Sequence, residues 1–254
     1  MKYIKIRLNK IAVSTRRKLR PYLFRSGIFS ALINPYYLIR SGLYKAIKKN
    51  SNYISGNIID IGCGEKPYEF LFRNSISYSG VDIEVSGHDH TNSKIDFYYD
   101  GITLPFPDKT FDAAVCFEVL EHIPNPNLFI MEIERIVKPG GRIMLTTPLA
   151  WEEHEVPYDY HRFTAYGLCN LFELGGFKVD SVERTTTHFV AIFQLIIAYL
   201  SLYLFSRSFI IKVLTQITII FPLTIICLAL NNIMPKNQGL YCNLIILAEK
   251  PFKD

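Results

Sequence analysis

Asn57-Ile-Ile-Asp-Ile-Gly-Cys-Gly-Glu-Lys-Pro-Tyr68 decides the fold. A β-branched run that ends in Asp-x-Gly-x-Gly describes a buried strand entering a ligand-binding turn. Ile58, Ile59 and Ile61 suit the strand, and Gly62 and Gly64 remove Cβ atoms where the backbone must turn tightly and approach a ligand. A dinucleotide fingerprint would need a third glycine three residues after Gly64, where this chain has Pro67. Asp60, two residues before the first glycine, would repel a pyrophosphate and suits a cofactor carrying a cationic ammonium group.

Downstream segments repeat the pattern. Ser77-Tyr-Ser-Gly-Val-Asp-Ile83 reads as a second strand whose Asp82 stands where an acid accepts from ribose hydroxyls. Ile95-Asp-Phe-Tyr-Tyr-Asp100 places a third acid at a third strand end, within reach of an adenine amino group. Ala113 to His122 forms a fourth strand and its exit, and Lys138-Pro-Gly-Gly-Arg142 turns an amphipathic helix into a fifth strand, Ile143 to Thr147. Either Asp82 or Asp100 alone reads equally as a strand-end cap, because Asp favours turns. Three acids at successive strand ends favour a binding role, since open α/β sheets bind ligands beyond the carboxyl ends of their strands.

Asp60-Ile-Gly-Cys-Gly64, Gly80-Val-Asp82, Leu104-Pro-Phe106, Phe111-Asp112, Val119-Leu-Glu-His122 and Lys138-Pro-Gly-Gly141 together resemble class I S-adenosylmethionine-dependent methyltransferases of the type 11 group. The match runs from about Tyr53 to Glu183 and resumes from Leu240 to Pro251, where Tyr241 to Glu249 resembles the last antiparallel strand of that fold. The resemblance implies an α/β fold, a doubly wound, mostly parallel, Rossmann-like seven-stranded sheet with an apolar helical insert before the last strand. It implies S-adenosylmethionine as cofactor. Its methionine moiety would be held by Asp60, Gly62 and Gly64, its ribose by Asp82 with Ile83, and its adenine by Asp100 with Gly101. Phe117 and Glu118 would line the sulfonium end. Gly101 stands where many relatives have Ala, a conservative departure. Glu121 and His122 either shape the turn after the fourth strand or face a substrate.

Charge divides the chain. Residues 1–59 carry thirteen Lys or Arg and no acid, whereas the remaining 195 carry fifteen basic residues against twenty-three acidic ones. A basic arm beside an acidic body points to an anionic partner, phospholipid or nucleic acid, although a solvated arm has the same composition. Ile4, Leu8 and Ile11, with Lys5, Arg7 and Lys10 between them, fit an interfacial amphipathic helix, and Arg16 to Arg20 extends the charge. Tyr36, Ile39, Leu43 and Ile47 recur at helical spacing and predict a helix that covers the cofactor pocket. No apolar core of signal-peptide length follows the early charges.

Phe189 to Pro235 contains no acid and only Arg207 and Lys212 as basic residues. Its two apolar runs each approach the roughly 20 residues that span a bilayer. If the strands on either side are neighbours in one sheet, the segment leaves and returns on the same side as a helical hairpin. A full crossing would carry Arg207 away from the cytoplasm, against the usual bias of Lys and Arg. A monotopic or re-entrant hairpin is therefore expected, with a buried homodimer face as the soluble alternative. The expected units are a basic arm and covering helix, 1–52, a catalytic domain, 53–188 and 236–254, and the membrane-associating hairpin, 189–235. The expected location is the cytoplasmic side of a membrane.

The five cysteines form no close pair, which suits free thiols in a reducing compartment. The six histidines show no zinc spacing, and His88-Asp-His90 reads as a solvated loop, so no metal is expected. Pro148 to Thr164 follows the fifth strand and is dense in His, Glu, Tyr, Asp and Arg, the types that orient a polar acceptor and take its proton. His154 is the expected base and Asp159 or Glu155 its orienting carboxylate. Asp159 could instead simply pair with Arg162. Methyl transfer is a direct displacement, so positioning alone supplies much of the rate and a base is not obligatory.

Gly64-Glu-Lys-Pro-Tyr68, His154 to Thr164 and the apolar insert resemble bacterial methyltransferases found with surface-polysaccharide assembly proteins. That implies a small or lipid-linked acceptor, such as a sugar of a surface polysaccharide or a lipid-linked glycan, beside an anionic membrane surface; a quinone-like or phospholipid acceptor fits almost as well. A nucleic-acid acceptor is not favoured. The Asn-Pro-Pro-Tyr type motif of amino-group methylases belongs after the fourth strand, where this chain has Glu118-Val-Leu-Glu121. A non-catalytic membrane-bound module retaining the fold is a further alternative, and the intact acids at 60, 82 and 100 weigh against it.

Overall fold

A computed structural model describes residues 19–84, 93–204 and 208–252. The expected arm helix around Ile4, Leu8 and Ile11, the His88-Asp-His90 loop and Arg207 lie outside the described residues. Seven strands form one sheet: β1 (Gly56–Ile61), β2 (Ser75–Ile83), β3 (Phe97–Tyr99), β4 (Phe111–Phe117), β5 (Val137–Pro148), β6 (Lys178–Arg184) and β7 (Asn243–Glu249). Their spatial order is β3-β2-β1-β4-β5-β7-β6. The pairs β1–β2, β1–β4, β2–β3 and β4–β5 are parallel, and β7 runs antiparallel to both β5 and β6.

The order reverses at β1. Chain leaving β1 goes to one side, to β2 and β3, and chain entering β4 goes to the other, which opens a crevice at the carboxyl ends of β1 and β4. Helices cover both faces, as a doubly wound sheet requires. On one side α3 (Pro126–Ile136) and α4 (Ala165–Leu174) bury Phe129, Ile130, Ile133, Leu168 and Phe172 against Ile59, Ile61, Ala114 and Ile246. On the other side α2 (Tyr37–Asn50) buries Ile39, Leu43 and Ile47 against Ile58, Val115, Met144 and Ile245. The helix expected from that spacing is present, and its apolar face lies on the sheet, where the expectation is a cover for the cofactor pocket. Tyr36 falls just outside it and packs edge-on against Trp151, with ring centroids 5.5 Å apart.

Lys138-Pro-Gly-Gly141 differs from the expected helix-to-strand turn. Val137 already pairs with Phe111, and pairing resumes at Ala113 with Arg142, so these residues form an irregularity inside β5. A Cβ on Gly141 would come within 2.7 Å of the Asp112 carbonyl oxygen, so the two strands can approach here only if residue 141 has no side chain.

Between β6 and β7 stand α5 (His188–Leu204) and α6 (Phe209–Asn231), the latter carrying a π turn at Gln216–Ile220 just before Pro222. Both belong to a third apolar cluster, in which Val190, Ile197, Ile220 and Cys227 meet Ala31 of α1 (Ile28–Ile33) and Tyr37 and Leu38 of α2. Two glutamines of the insert serve this contact. Ile39 N–H lies in the first turn of α2, where no intrahelical partner exists, and it donates to Gln194 Oε1 at 3.3 Å. Gln194 Nε2 in turn donates to the Pro35 carbonyl at 3.1 Å, and Gln216 Nε2 to the Ala31 carbonyl at 3.4 Å. A buried glutamine in an apolar helix is thus the cap of another helix.

Candidate functional site

Every predicted cofactor residue lies at the carboxyl edge of the parallel strands. Asp60 ends β1, with Gly62 and Gly64 in the loop after it; Asp82 and Ile83 end β2; Asp100 and Gly101 follow β3; Phe117 ends β4 and Glu118 follows it. Gly62 (φ +69°) is required by contact as well as conformation, because a Cβ there would sit 2.3 Å from Val119 Cγ2. Gly64 (φ +47°) is different: a Cβ would meet nothing within 4 Å, so its backbone faces open space where a ligand can approach.

The acids differ in what holds them. Asp60 is buried, and its Oδ2 accepts from the Tyr78 hydroxyl at 2.8 Å. Burial pushes its carboxyl up to about 7, opposed by the Tyr78 hydrogen bond and the nearby Lys66. A cationic ligand group would restore its charge. Asp82 accepts from Gly64 N–H at 2.9 Å through Oδ2 and from Ile83 N–H at 2.8 Å through Oδ1, which ties the glycine loop to the end of β2. Asp100 is exposed, and its Oδ1 caps the following turn by accepting from Ile102 and Thr103 N–H. Those two amides hold its carboxyl below the usual range. The cap reading of Asp100 is therefore realised at Oδ1.

Lys66 braces the same loop. Its ammonium meets Asp96 Oδ2 at 2.5 Å, and that oxygen also accepts from Gly80 N–H at 2.7 Å. Sequence reasoning passed over this pair because the two residues are 30 apart in the chain and meet only when the glycine loop packs beside β2 and the start of β3. The Phe117 ring joins an aromatic wall, 5.2 Å from Tyr68 and 6.2 Å from Phe72. Glu118 is half-buried and accepts from Asn243 Nδ2 at 2.5 Å through Oε2. Burial raises its carboxyl pKa. Asn243, polar at the start of an otherwise apolar strand, was the available signal for that contact.

The loop after β5 folds over the exit of β4. Tyr160 and His161 N–H both donate to the Glu121 carbonyl, at 2.8 and 3.2 Å. Arg162 grips Asp159 with two bonds of 2.5 and 2.6 Å. This pairing holds the Asp159 carboxyl down at about 2. With the side chain almost fully enclosed in the pair expected with Arg162, Asp159 cannot take a proton near neutrality. Its Oδ2 instead stands 3.3 Å from His154 Nδ1 and accepts from His154 N–H at 3.0 Å, so it orients the imidazole.

The same fold brings His154 against the β4 exit. The rings of His122 and His154 lie 4.8 Å apart, and one ligand atom from each of Glu121, His122 and His154 falls within 4.8 Å of the others. Sequence spacing could not reveal this, because the two histidines occupy different loops that meet through the β4–β5 pairing and the bonds from Tyr160 and His161 to Glu121. Glu121 has no exposed surface, and burial together with Glu118 holds its carboxyl well above the ordinary pKa. Burial also lowers the His122 pKa, favouring the neutral ring.

Comparison with known proteins agrees with this geometry. The family model described as "Methyltransferase domain" matches residues 29–182. The ubiquinone biosynthesis O-methyltransferase of Coxiella burnetii is 27% identical over 124 residues, 45% of this chain and 53% of that protein. The tRNA U34 carboxymethyltransferase of Nautilia profundicola is 28% identical over 155 residues, 53% of this chain and 52% of that protein. The chain thus spans about half the length of the curated relatives it matches. Among solved structures, the (4+2)-cyclase SpnF is similar with a TM-score of 0.51 at 19% identity, covering 83% of this chain and 81% of that one. That likeness concerns the fold alone, and a cyclase on this fold shows that the fold does not dictate the reaction. With more than half its length inside the family model and its strand-end acids in place, the chain belongs to the methyltransferase-domain family, the class I fold that uses S-adenosylmethionine.

Proposed function

We propose that the protein transfers the methyl group of S-adenosylmethionine to a hydroxyl of an amphipathic acceptor, at the cytoplasmic face of a membrane. The observation that carries this reading is an open pocket of about 390 Å³ where the loop after β5 meets the apolar insert. Leu149, Ala150, Trp151 and Glu152 form one wall, and Leu195, Ala198, Tyr199 and Leu202 of α5 the other. The apolar wall suits a hydrocarbon tail, and the loop that supplies Trp151 and Glu152 to it continues two residues on to His154. A lipid-linked sugar and a prenylated quinol share this chemistry: a hydroxylated head on a long apolar tail.

In the proposed reaction the acceptor oxygen attacks the methyl carbon in line with the sulfonium. A C–O bond forms, the C–S bond breaks, S-adenosylhomocysteine leaves, and the hydroxyl proton passes to His154 or to water. Holding the oxygen in line supplies most of the acceleration. Asp60 meets the cofactor ammonium, Asp82 its ribose hydroxyls and Asp100 its adenine amino group, with Gly62, Gly64, Ile83, Gly101, Phe117 and Glu118 shaping the pocket.

The insert supplies the location. Along α6, Phe209, Ile210, Ile211, Leu214 and Ile217 are exposed, and on α5 Ile196, Tyr199, Leu202 and Tyr203. So much exposed apolar surface favours a lipid or protein cover. By length and composition α6 is long and apolar enough to cross a bilayer, but the inner side of the insert is already packed on α1 and α2. With β6 and β7 adjacent in the sheet, that packing favours a hairpin lying in one leaflet.

The test is transfer of labelled methyl from S-adenosylmethionine to a panel containing a polyprenyl-linked sugar, a prenylated catechol, its tail-free analogue and tRNA. Label entering a tailed acceptor at a rate far above its tail-free analogue supports the proposal, and the tailed acceptor that reacts separates sugar from quinol. Label entering tRNA alone, or both analogues equally, contradicts it.

A further inference from the structure

Glu121 is an unusual residue for this site. Its side chain is fully buried, yet neither carboxylate oxygen has a hydrogen-bond partner among the described residues. Enclosing such a group without donors costs several kcal/mol or more unless a proton or a cation accompanies it. His122 Nε2 is likewise buried without a hydrogen-bond partner and lies 3.9 Å from Glu121 Oε1 and 3.7 Å from Glu155 Oε1.

The imidazoles are oriented for one purpose. His122 Nδ1 lies 2.8 Å from the Tyr158 carbonyl, an oxygen that can only accept, so Nδ1 carries the proton and Nε2 presents its lone pair towards Glu121. His154 Nδ1 faces the Asp159 carboxylate at 3.3 Å and the Glu152 carbonyl at 3.3 Å, which again places the proton on Nδ1 and leaves Nε2 as the donor nitrogen. A histidine whose far nitrogen is fixed by a carbonyl or carboxylate is the arrangement metal ligands use. Asp159 is itself locked by Arg162.

We propose that Glu121, His122 and His154 bind a divalent first-row metal cation. Two imidazoles and a carboxylate suit Mn²⁺, Fe²⁺ or Zn²⁺ better than Mg²⁺ or Ca²⁺. Three protein ligands leave coordination positions open, as catalytic metal sites do. The cluster stands near Glu118, and its His154 belongs to the same loop as the pocket's Trp151 and Glu152. Resting on the methyl-transfer reading, the inference deepens it: the cation receives an acceptor hydroxyl, or two vicinal hydroxyls, and favours loss of the proton to water before the oxygen attacks.

The experiment is Mn²⁺ titration of the EDTA-stripped full chain in detergent, followed by electron paramagnetic resonance, with no cofactor or acceptor present. Glu121→Gln keeps the buried shape and His154→Ala changes a partly exposed loop residue, and circular dichroism checks the fold of both. Saturable binding of one Mn²⁺ per chain, weakened about tenfold or more in each folded variant, supports the site. Absence of binding by the wild type, or equal binding by wild type and His154→Ala, overturns it. A parallel S-adenosylmethionine titration separates the two readings: intact cofactor binding without Mn²⁺ binding sinks the metal site alone, and metal binding without cofactor binding sinks the methyl-transfer reading alone.

Discussion

The carboxyl edge of the sheet and the insert between β6 and β7 treat polar groups in opposite ways. At the sheet edge, carboxylates are concentrated and each is held differently: Asp60 in a buried position, Asp82 by two backbone amides, Asp100 by the turn it caps. In the insert, polar groups are few, and Gln194 and Gln216 are spent on the ends of α2 and α1. Polar atoms at the edge are arranged around a space, whereas those in the insert are consumed by structure. That contrast separates a ligand site from a docking element more clearly than composition does.

Breaking the edge should leave the insert untouched. The largest effect is expected from Asp82→Ala, which removes both the proposed ribose contacts and the tie to Gly64. Charge-assisted hydrogen bonds are worth about 1.5–3 kcal/mol each, so calorimetry should read a loss of cofactor affinity of about 100-fold. Partition into anionic vesicles should stay the same. Unchanged affinity would remove Asp82 from the site.

The converse experiment charges the insert. Ile210→Glu with Leu214→Glu places two carboxylates on the exposed face of α6, where each costs up to about 3 kcal/mol if the face meets hydrocarbon. Vesicle co-sedimentation should fall at least about tenfold while cofactor affinity holds within about twofold. If vesicle binding persists and a dimer dissociates in sedimentation, the face is a homodimer surface and the basic arm is the anchor. Gly62→Ala should cost about 2 kcal/mol in thermal unfolding, since it combines a positive φ with a clash against Val119.

The smallest effect concerns pH. Asp60 sits near 7 in the free chain and should ionise against the cofactor ammonium, which itself stays protonated below about pH 8. Affinity should therefore rise about tenfold from pH 5.5 to pH 7 and lose that dependence in Asp60→Asn. Stability of the free chain should run the other way. Its raised carboxyl keeps a proton that the unfolded chain has lost, so stability declines as pH rises from about 4 to about 7.

Much of the edge was legible in sequence because its constraints are local. A β-branched run ending in two glycines, and acids at the ends of successive strands, reflect one turn and one strand at a time. The covering helix was legible for the same reason, through the spacing of Ile39, Leu43 and Ile47. Non-local features were not. Lys138-Pro-Gly-Gly141 reads as a turn until Val137 is seen to pair with Phe111. Gln194 stood out in an apolar run, but its partner, an unpaired amide at the start of α2, exists only once the insert packs. Glu121, His122 and His154 meet because β4 and β5 are neighbours and because two amides of the later loop bind the Glu121 carbonyl. No spacing within either loop encodes that meeting.

The central claim is that the glycine loop and strand-end acids form a site for S-adenosylmethionine. Calorimetric titration of the detergent-solubilised chain at pH 7 with S-adenosylmethionine and, separately, with NAD tests it most directly. Saturable binding of one S-adenosylmethionine per chain with no heat from NAD is the predicted result. Binding of NAD, or of neither, would contradict it.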